Sequence, residues 1–251
     1  KFLFFLQNFD QAFYGFFWES WSLSIEEWFY IFFPLIAIIF LNVKWLSKQQ
    51  AIMISLIMLI LIPILIKFFQ PTPPNMNHFV FGNTYKKIVL YRLDSLAYGI
   101  LLAYFKVYYA SHWKRVSIWL AILGVVVLQL LISVETNLQS KFYLIFIFPA
   151  HSIGIALLIP LFDCWLYAPS FISKPITWIS KISYSLYLLH LSIILGLMNY
   201  IIDHGFEEWK AYYDLIYWVS SILIASLMFV FFEKPLTALR PKYPKVSAQK
   251  T

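Results

Sequence analysis

Apolar residues in this chain come in long runs and not in alternation. Runs at about 23–41, 51–69, 88–105, 116–134, 142–162, 178–202 and 214–232 are each almost free of charge. Each is close to the roughly 20 residues a helix needs to cross a hydrocarbon core. The pattern predicts an all-α polytopic transmembrane helical bundle of about seven full spans. The chain opens at Lys1 directly into Phe2-Leu3-Phe4-Phe5-Leu6, with no charged leader and no cleavage signal. Residues 1–7 therefore read as the N-terminal stub of another span, and 8–21, with Asn8, Asp10, Gly15 and Glu19, as a loop. No internal repeat or soluble domain interrupts the series, so 1–251 reads as one transmembrane domain.

Composition strengthens that picture. Of 251 residues, 61% are hydrophobic and 12% charged, with a mean hydropathy of +0.74; soluble domains run about 45–50% apolar and about 25% charged. The net charge of +7 does not imply nucleic acid, because the basic residues sit in short loops and in the tail. Lys44, Lys48, Lys106, Lys114, Arg115 and Lys174 fall on the side that also holds the basic tail, 233–251. That side is expected to be cytoplasmic, so the C-terminus lies inside and the opening loop outside. The single cysteine, Cys164, forms no intrachain disulfide. No zinc, phosphate-loop or serine-elbow motif is present.

Against this apolar background the polar residues inside spans are the candidates for chemistry, since an acid at mid-helix costs about 2.5–3.5 kcal/mol on insertion scales. The first span is headed by Ser24-Ile25-Glu26-Glu27. Ser24 as N-cap with Glu27 three residues on predicts a capping box. Glu26 shares a face with Tyr30, joined by Ser22 if the helix begins a turn earlier, and reads either as an inward-facing functional acid or as a dipole-stabilised interfacial one. In Tyr91-Arg92-Leu93-Asp94-Ser95-Leu96-Ala97-Tyr98-Gly99, Arg92 and Asp94 stand two apart, about 200° around a helix, and so do not pair. Each needs a partner on another helix or in a cavity, a salt bridge of Arg92 with Glu26 being one option. Asp94 sits by Tyr91 and Tyr98, while Ser95, Gly99 and Ala103 form a stripe that permits close helix approach.

Lys67 reads as a snorkelling end residue of a scaffold span, and Gln129 as lipid-facing. Pro149, Gly154 and Pro160 predict a kinked helix with freed carbonyls beside a cavity, with His151 as a packing residue. Ser183, Tyr187 and His190 share one face of a late span, where His190 is either functional or an interhelical hydrogen-bonding group. Pro235, after Phe232-Glu233-Lys234, is expected to stop the last helix.

With these segments in view, the chain resembles the acyltransferase 3 family of integral-membrane acyltransferases. The resemblance rests on the run from Phe17-Trp18 to Pro34, on Arg92 to Gly99, on Ile182-Ser183-Tyr184-Ser185-Leu186-Tyr187-Leu188-Leu189-His190, and on Phe232 to Pro235. It implies transfer of an acyl group, usually acetyl, from cytoplasmic acyl-CoA to a hydroxyl of an extracytoplasmic glycan or lipid-linked saccharide. The partners it implies are acyl-CoA (acetyl-CoA) as donor substrate, the saccharide acceptor and the lipid bilayer, with no bound cofactor and no nucleic acid. It also implies a bacterial cytoplasmic membrane location and about ten spans, so the first two and a half helices, with an Arg and the presumed catalytic His, are expected to lie outside this sequence. On that resemblance Glu26 and Arg92 are the catalytic candidates. Asp94, Tyr98, Tyr184, Tyr187 and His190 are the substrate- or donor-binding ones. A transporter or flippase is the competing reading of the same buried charges.

Overall fold

The computed structural model describes residues 1–13, 15, 17–73, 76–133, 138–165, 167–204 and 212–239. The expected tail beyond Leu239, and the loop acids Glu135, Glu207 and Glu208, lie outside the described residues. Among the described residues every regular element is helical. Among the described residues six helices are long and apolar enough to cross a membrane, and a bent pair makes a seventh if counted as one span. The chain is a multi-pass helical membrane protein. It divides into two compact units, one of residues 1–15 with 20–167 and the other of 16–19 with 168–251.

In the first unit α1 (Ser20–Leu41) packs on α2 (Lys48–Phe69). A capping box does start a helix, but it is at α2. There Ser47 Oγ accepts from Gln50 N at 3.2 Å, and Gln50 Oε1 accepts from Ser47 N at 3.0 Å. The box expected at Ser24 and Glu27 is not formed, because α1 begins a turn earlier, at Ser20. Ser24 is buried within that helix. Its hydroxyl donates to Ser20 O at 3.1 Å and accepts from Gln7 Nε2 at 2.5 Å. Glu27 is exposed.

Next comes the bent pair. The short α3 (His78–Phe81) runs into a π-turn at Gly82–Lys86, then turns by 82° into α4 (Val89–Arg92) and α5 (Asp94–Tyr108). The opening residues hold this corner. Phe2–Phe4 form one 3-10 turn, Phe5 takes a left-handed conformation (φ 53°), and Trp28 Nε1 donates to Phe5 O at 3.0 Å. Fully buried Asn8 donates to Trp21 O at 2.9 Å and Lys87 O at 2.6 Å. The first amides of α4, Val89 and Leu90, donate to the carbonyls of Asn8 and Phe9 at 2.9 and 3.2 Å. Amides orphaned at a helix start are thus satisfied by a strap distant in sequence. Ile25, Phe29, Leu56, Leu59, Val89 and Leu93 form the core beneath it.

The helix α6 (Ala110–Ser133) packs against α7 (Lys141–Ala156) and α8 (Ile159–Asp163). Close approach occurs there and not at the predicted stripe. A Cβ on Gly124 would lie 2.8 Å from Gly154 O, whereas one on Gly99 would meet nothing within 4 Å. Sequence spacing alone does not say which small residues face a neighbour. The expected kink in this span falls at Leu157–Leu158, ahead of Pro160 in the first turn of α8, and α7 runs on through Pro149.

The second unit contains α9 (Ser170–Leu189), a π-turn at His190–Leu195, and α10 (Gly196–Asp203). These are followed by α11 (Tyr213–Met228), a π-turn at Phe229–Glu233 and α12 (Lys234–Ala238). Trp178 Nε1 on α9 donates to Ser226 Oγ on α11 at 3.1 Å. Pro235 does not end the helical path, which continues to Ala238. A proline at the start of a helical segment has no intrahelical N–H to lose.

Candidate functional site

The polar residues of the first unit converge through a proline. Pro149 has no amide hydrogen, so the carbonyl four residues back, at Ile145, loses its helical donor. Lys67 fills that position, with Nζ donating to Ile145 O at 3.0 Å and 0% of the residue exposed. The snorkelling expected of Lys67 is therefore corrected. The side chain turns inward to the freed carbonyl, at a helix C-terminus that favours a cation.

Arg92 and Asp94 flank the break between α4 and α5 at Leu93. As expected they make no ion pair with each other. The Arg92 guanidinium lies over the Phe148 ring, 4.5 Å from its centroid, and Nη1 reaches Lys86 O only at 3.5 Å. Its Nε is sealed from solvent without a partner. Asp94 is 0% exposed at the first position of α5, where the helix dipole favours a negative charge. The expected neighbour Tyr98 donates to Oδ2 at a long 3.4 Å, and Oδ1 is sealed without a partner. Lys67, Arg92 and Asp94 lie within electrostatic reach of one another. The cluster thus holds two cations and one anion, with polar atoms left open on both Arg92 and Asp94.

Glu26 stands apart from it. Tyr30 Oη donates to Glu26 Oε1 at 2.6 Å, Glu26 is half-buried, and the Tyr30 residue is 54% exposed. Among the described residues Glu26 makes no salt bridge with Arg92, so the pairing offered as one option from the sequence is not formed.

In the second unit the late-span residues separate into two settings. Tyr184 is exposed and lines a cavity of about 270 Å³ with Ser185, Met228, Phe232 and Glu233. Ser185 Oγ donates there to Glu233 Oε2 at 2.8 Å. Tyr187 and His190 lie together, ring centroids 5.8 Å apart, at the start of the first π-turn. That turn is organised by Glu19, which the sequence reading left in a loop. Glu19 is 0% exposed, and its Oε1 accepts from the amides of Leu191 and Ser192 at 3.0 and 2.7 Å. Oε2 accepts from Ser192 Oγ, and Tyr187 Oη donates to Glu19 O at 3.3 Å.

Lys67 and Glu19 are the residues that sequence reasoning missed. The signals available were Pro149, which guarantees an open carbonyl, and an acid set among Phe17, Trp18 and Trp21. His151 is as expected a hydrogen-bonded packing residue, its Nδ1 2.7 Å from Ile147 O. No cluster of metal-ligating side chains occurs among the described residues.

A family model described as an acyltransferase domain matches residues 1–232. The chain is 28% identical over 227 residues to the O-acetyltransferase OatA of Staphylococcus aureus strain NCTC 8325 / PS 47, and equally to OatA of strain COL. The match covers 86% of this chain and 35% of each relative, so the chain spans about a third of the length of the curated relatives it matches. No solved structure gives a significant match.

Proposed function

This chain belongs to the acyltransferase 3 family, and from that premise we propose that it forms the membrane core of an O-acyltransferase. In this reading it moves an acyl group, acetyl in the simplest case, from cytoplasmic acyl-CoA to a hydroxyl of an extracytoplasmic glycan or lipid-linked saccharide. The observation that carries the reading is the excess of positive charge set by fully buried Lys67 and half-buried Arg92. Acyl transfer from a thioester needs positive charge or hydrogen-bond donors where the carbonyl oxygen becomes an oxyanion, and the CoA donor is itself polyanionic. Such groups act most strongly in a site from which water is excluded.

Each residue then has a definite task. Arg92, a half-buried guanidinium with a face stacked on Phe148, is the donor to the anionic group. Lys67, anchored on the carbonyl that Pro149 frees, adds a second fixed positive charge. Asp94 offsets part of that charge and, with Tyr98, keeps the empty cluster from being doubly cationic. Glu26 and Tyr30 form a separate polar pair on α1 that meets substrate or a neighbouring helix, and Tyr184, Tyr187 and His190 contribute acceptor contacts.

The test is made in cells lacking their own O-acetylation, by measuring base-released acetate from the envelope glycan. Full-length protein is expected to restore O-acetyl groups. Arg92→Ala is expected to abolish them with the protein present at wild-type level, and normal acetate release by that variant would refute the assignment.

A further inference from the structure

The turn at His190 can be read through its backbone hydrogen bonds. In an uninterrupted helix the amides of Leu191 and Ser192 would donate to the carbonyls of Tyr187 and Leu188. Here both amides donate to the Glu19 carboxylate. The Tyr187 carbonyl lies 2.8 Å from His190 Nδ1, and the Leu186 carbonyl lies 3.1 Å from it. Buried backbone groups must be paired, and at this corner a carboxylate and an imidazole restore what the π-turn removes.

The exchange also fixes the imidazole. Both neighbours of Nδ1 are carbonyl oxygens, which only accept, so Nδ1 carries the hydrogen. A neutral imidazole has one N–H, and its lone pair is therefore on Nε2. Among the described residues Nε2 has no protein partner, and it is not one of the sealed polar atoms. Single π-turns inside α-helices recur at functional sites because they re-aim a side chain.

We infer that Glu19 is a positioning residue whose carboxylate holds the π-turn at His190–Leu195, so that His190 presents Nε2 as the hydrogen-bond acceptor for the saccharide hydroxyl that is acylated. The inference rests on the reading of the chain as an O-acyltransferase. It assigns His190 a defined atom and Glu19, which the sequence reading left in a loop, a defined task. A purely structural Glu19 would need only to be satisfied, and any variant that folds would then leave transfer intact.

The full-length protein is tested in the same acetylation-null cells, with two substitutions at each position. Glu19→Gln keeps an oxygen for both amides and an NH2 for Ser192 Oγ, whereas Glu19→Ala keeps neither. His190→Asn retains a short donor toward the carbonyls but has no ε atom, whereas His190→Gln carries an acceptor oxygen at ε reach. The expected result is a tenfold or greater loss of O-acetyl groups for Glu19→Ala and His190→Asn at unchanged protein level. Glu19→Gln and His190→Gln are expected to keep at least half, and the Glu19→Ala/His190→Asn double variant to be no worse than either single. Diethyl pyrocarbonate labelling read by mass spectrometry gives an arm independent of activity, with His190 modified in the wild type and its rate shifted at least threefold in Glu19→Ala. Wild-type acetylation by His190→Asn, multiplicative losses in the double variant, or a wild-type His190 that resists labelling would overturn the inference. If Arg92→Ala abolishes transfer while Glu19→Ala and His190→Asn keep it, this inference fails and the acyltransferase reading stands. If the wild type transfers nothing, that reading fails and labelling alone decides whether Nε2 is open.

Discussion

Asp94 and Glu19 are both fully buried carboxylates in an apolar chain, yet they are satisfied to opposite degrees. Glu19 receives two amides and a hydroxyl on its two oxygens. Asp94 has one long bond from Tyr98 and one sealed oxygen with nothing on it. An ionised buried group that is fully hydrogen-bonded fixes a geometry, whereas one left open raises the free energy of the empty site until something binds. The difference separates a part that holds a shape from a part that is set to receive charge. In the first unit the balance of Asp94 against Lys67 and Arg92 is electrostatic and loose, and in the second unit the Glu19 turn is directional and complete.

The largest effect should come from breaking the balance in the loose cluster. Asp94→Asn leaves buried Lys67 and half-buried Arg92 without a counter-charge and is expected to lower stability by about 3–5 kcal/mol. Adding Lys67→Met should recover part of that loss, measured as a double-mutant cycle in detergent by thermal unfolding. Strict additivity would show that the two charges do not interact. Next, Arg92→Ala should cost at least about 100-fold in transfer, about 2.7 kcal/mol at 1.36 kcal/mol per tenfold, with little change in unfolding temperature. A variant that loses stability and activity in parallel would mark Arg92 as structural.

Smaller effects belong to residues outside both carboxylate sites. Glu26→Ala and Tyr30→Phe each break one 2.6 Å bond and should lower transfer about tenfold, with the double variant no worse than either. Full activity in both would remove this pair from the mechanism. Gly124→Ala puts a methyl group 2.8 Å from the Gly154 carbonyl oxygen. It should lower stability by about 1 kcal/mol while leaving transfer per folded molecule unchanged. A loss of transfer there would mean that packing of α6 on α7 reaches the cluster.

The bundle was legible because spans are set by apolar run length. Most observed boundaries lie within a few residues of the runs; the start of α9 at Ser170 departs most among the single helices, followed by the start of α6 at Ala110 and the end of α12 at Ala238. The chemistry was only half legible. Arg92 and Asp94 stand out as charges within a span, and their failure to pair follows from a two-residue spacing. Lys67 did not stand out, because a lysine at a span's end usually snorkels, and only the fold brings it to the carbonyl opened by Pro149. Glu19 was hidden for the same reason. Its partners are amides 172 and 173 residues away, and backbone donors leave no mark in sequence. The Ser24/Glu27 cap misled because the local signature is genuine, but the strap through Gln7 and Asn8 holds a helix that already starts at Ser20.

If the positive charges of Lys67 and Arg92 serve acyl transfer, Lys67→Met tests it at the fully buried member of the pair. Methionine keeps the length and apolar stem of lysine and removes its charge together with the hydrogen bond to the Ile145 carbonyl. The measurement is base-released acetate from the envelope glycan of acetylation-null cells expressing full-length Lys67→Met, normalised to protein level. A loss of tenfold or more per folded molecule is expected, beyond the modest fall in unfolding temperature that the lost bond to Ile145 O brings. Wild-type acetate release from Lys67→Met would contradict it.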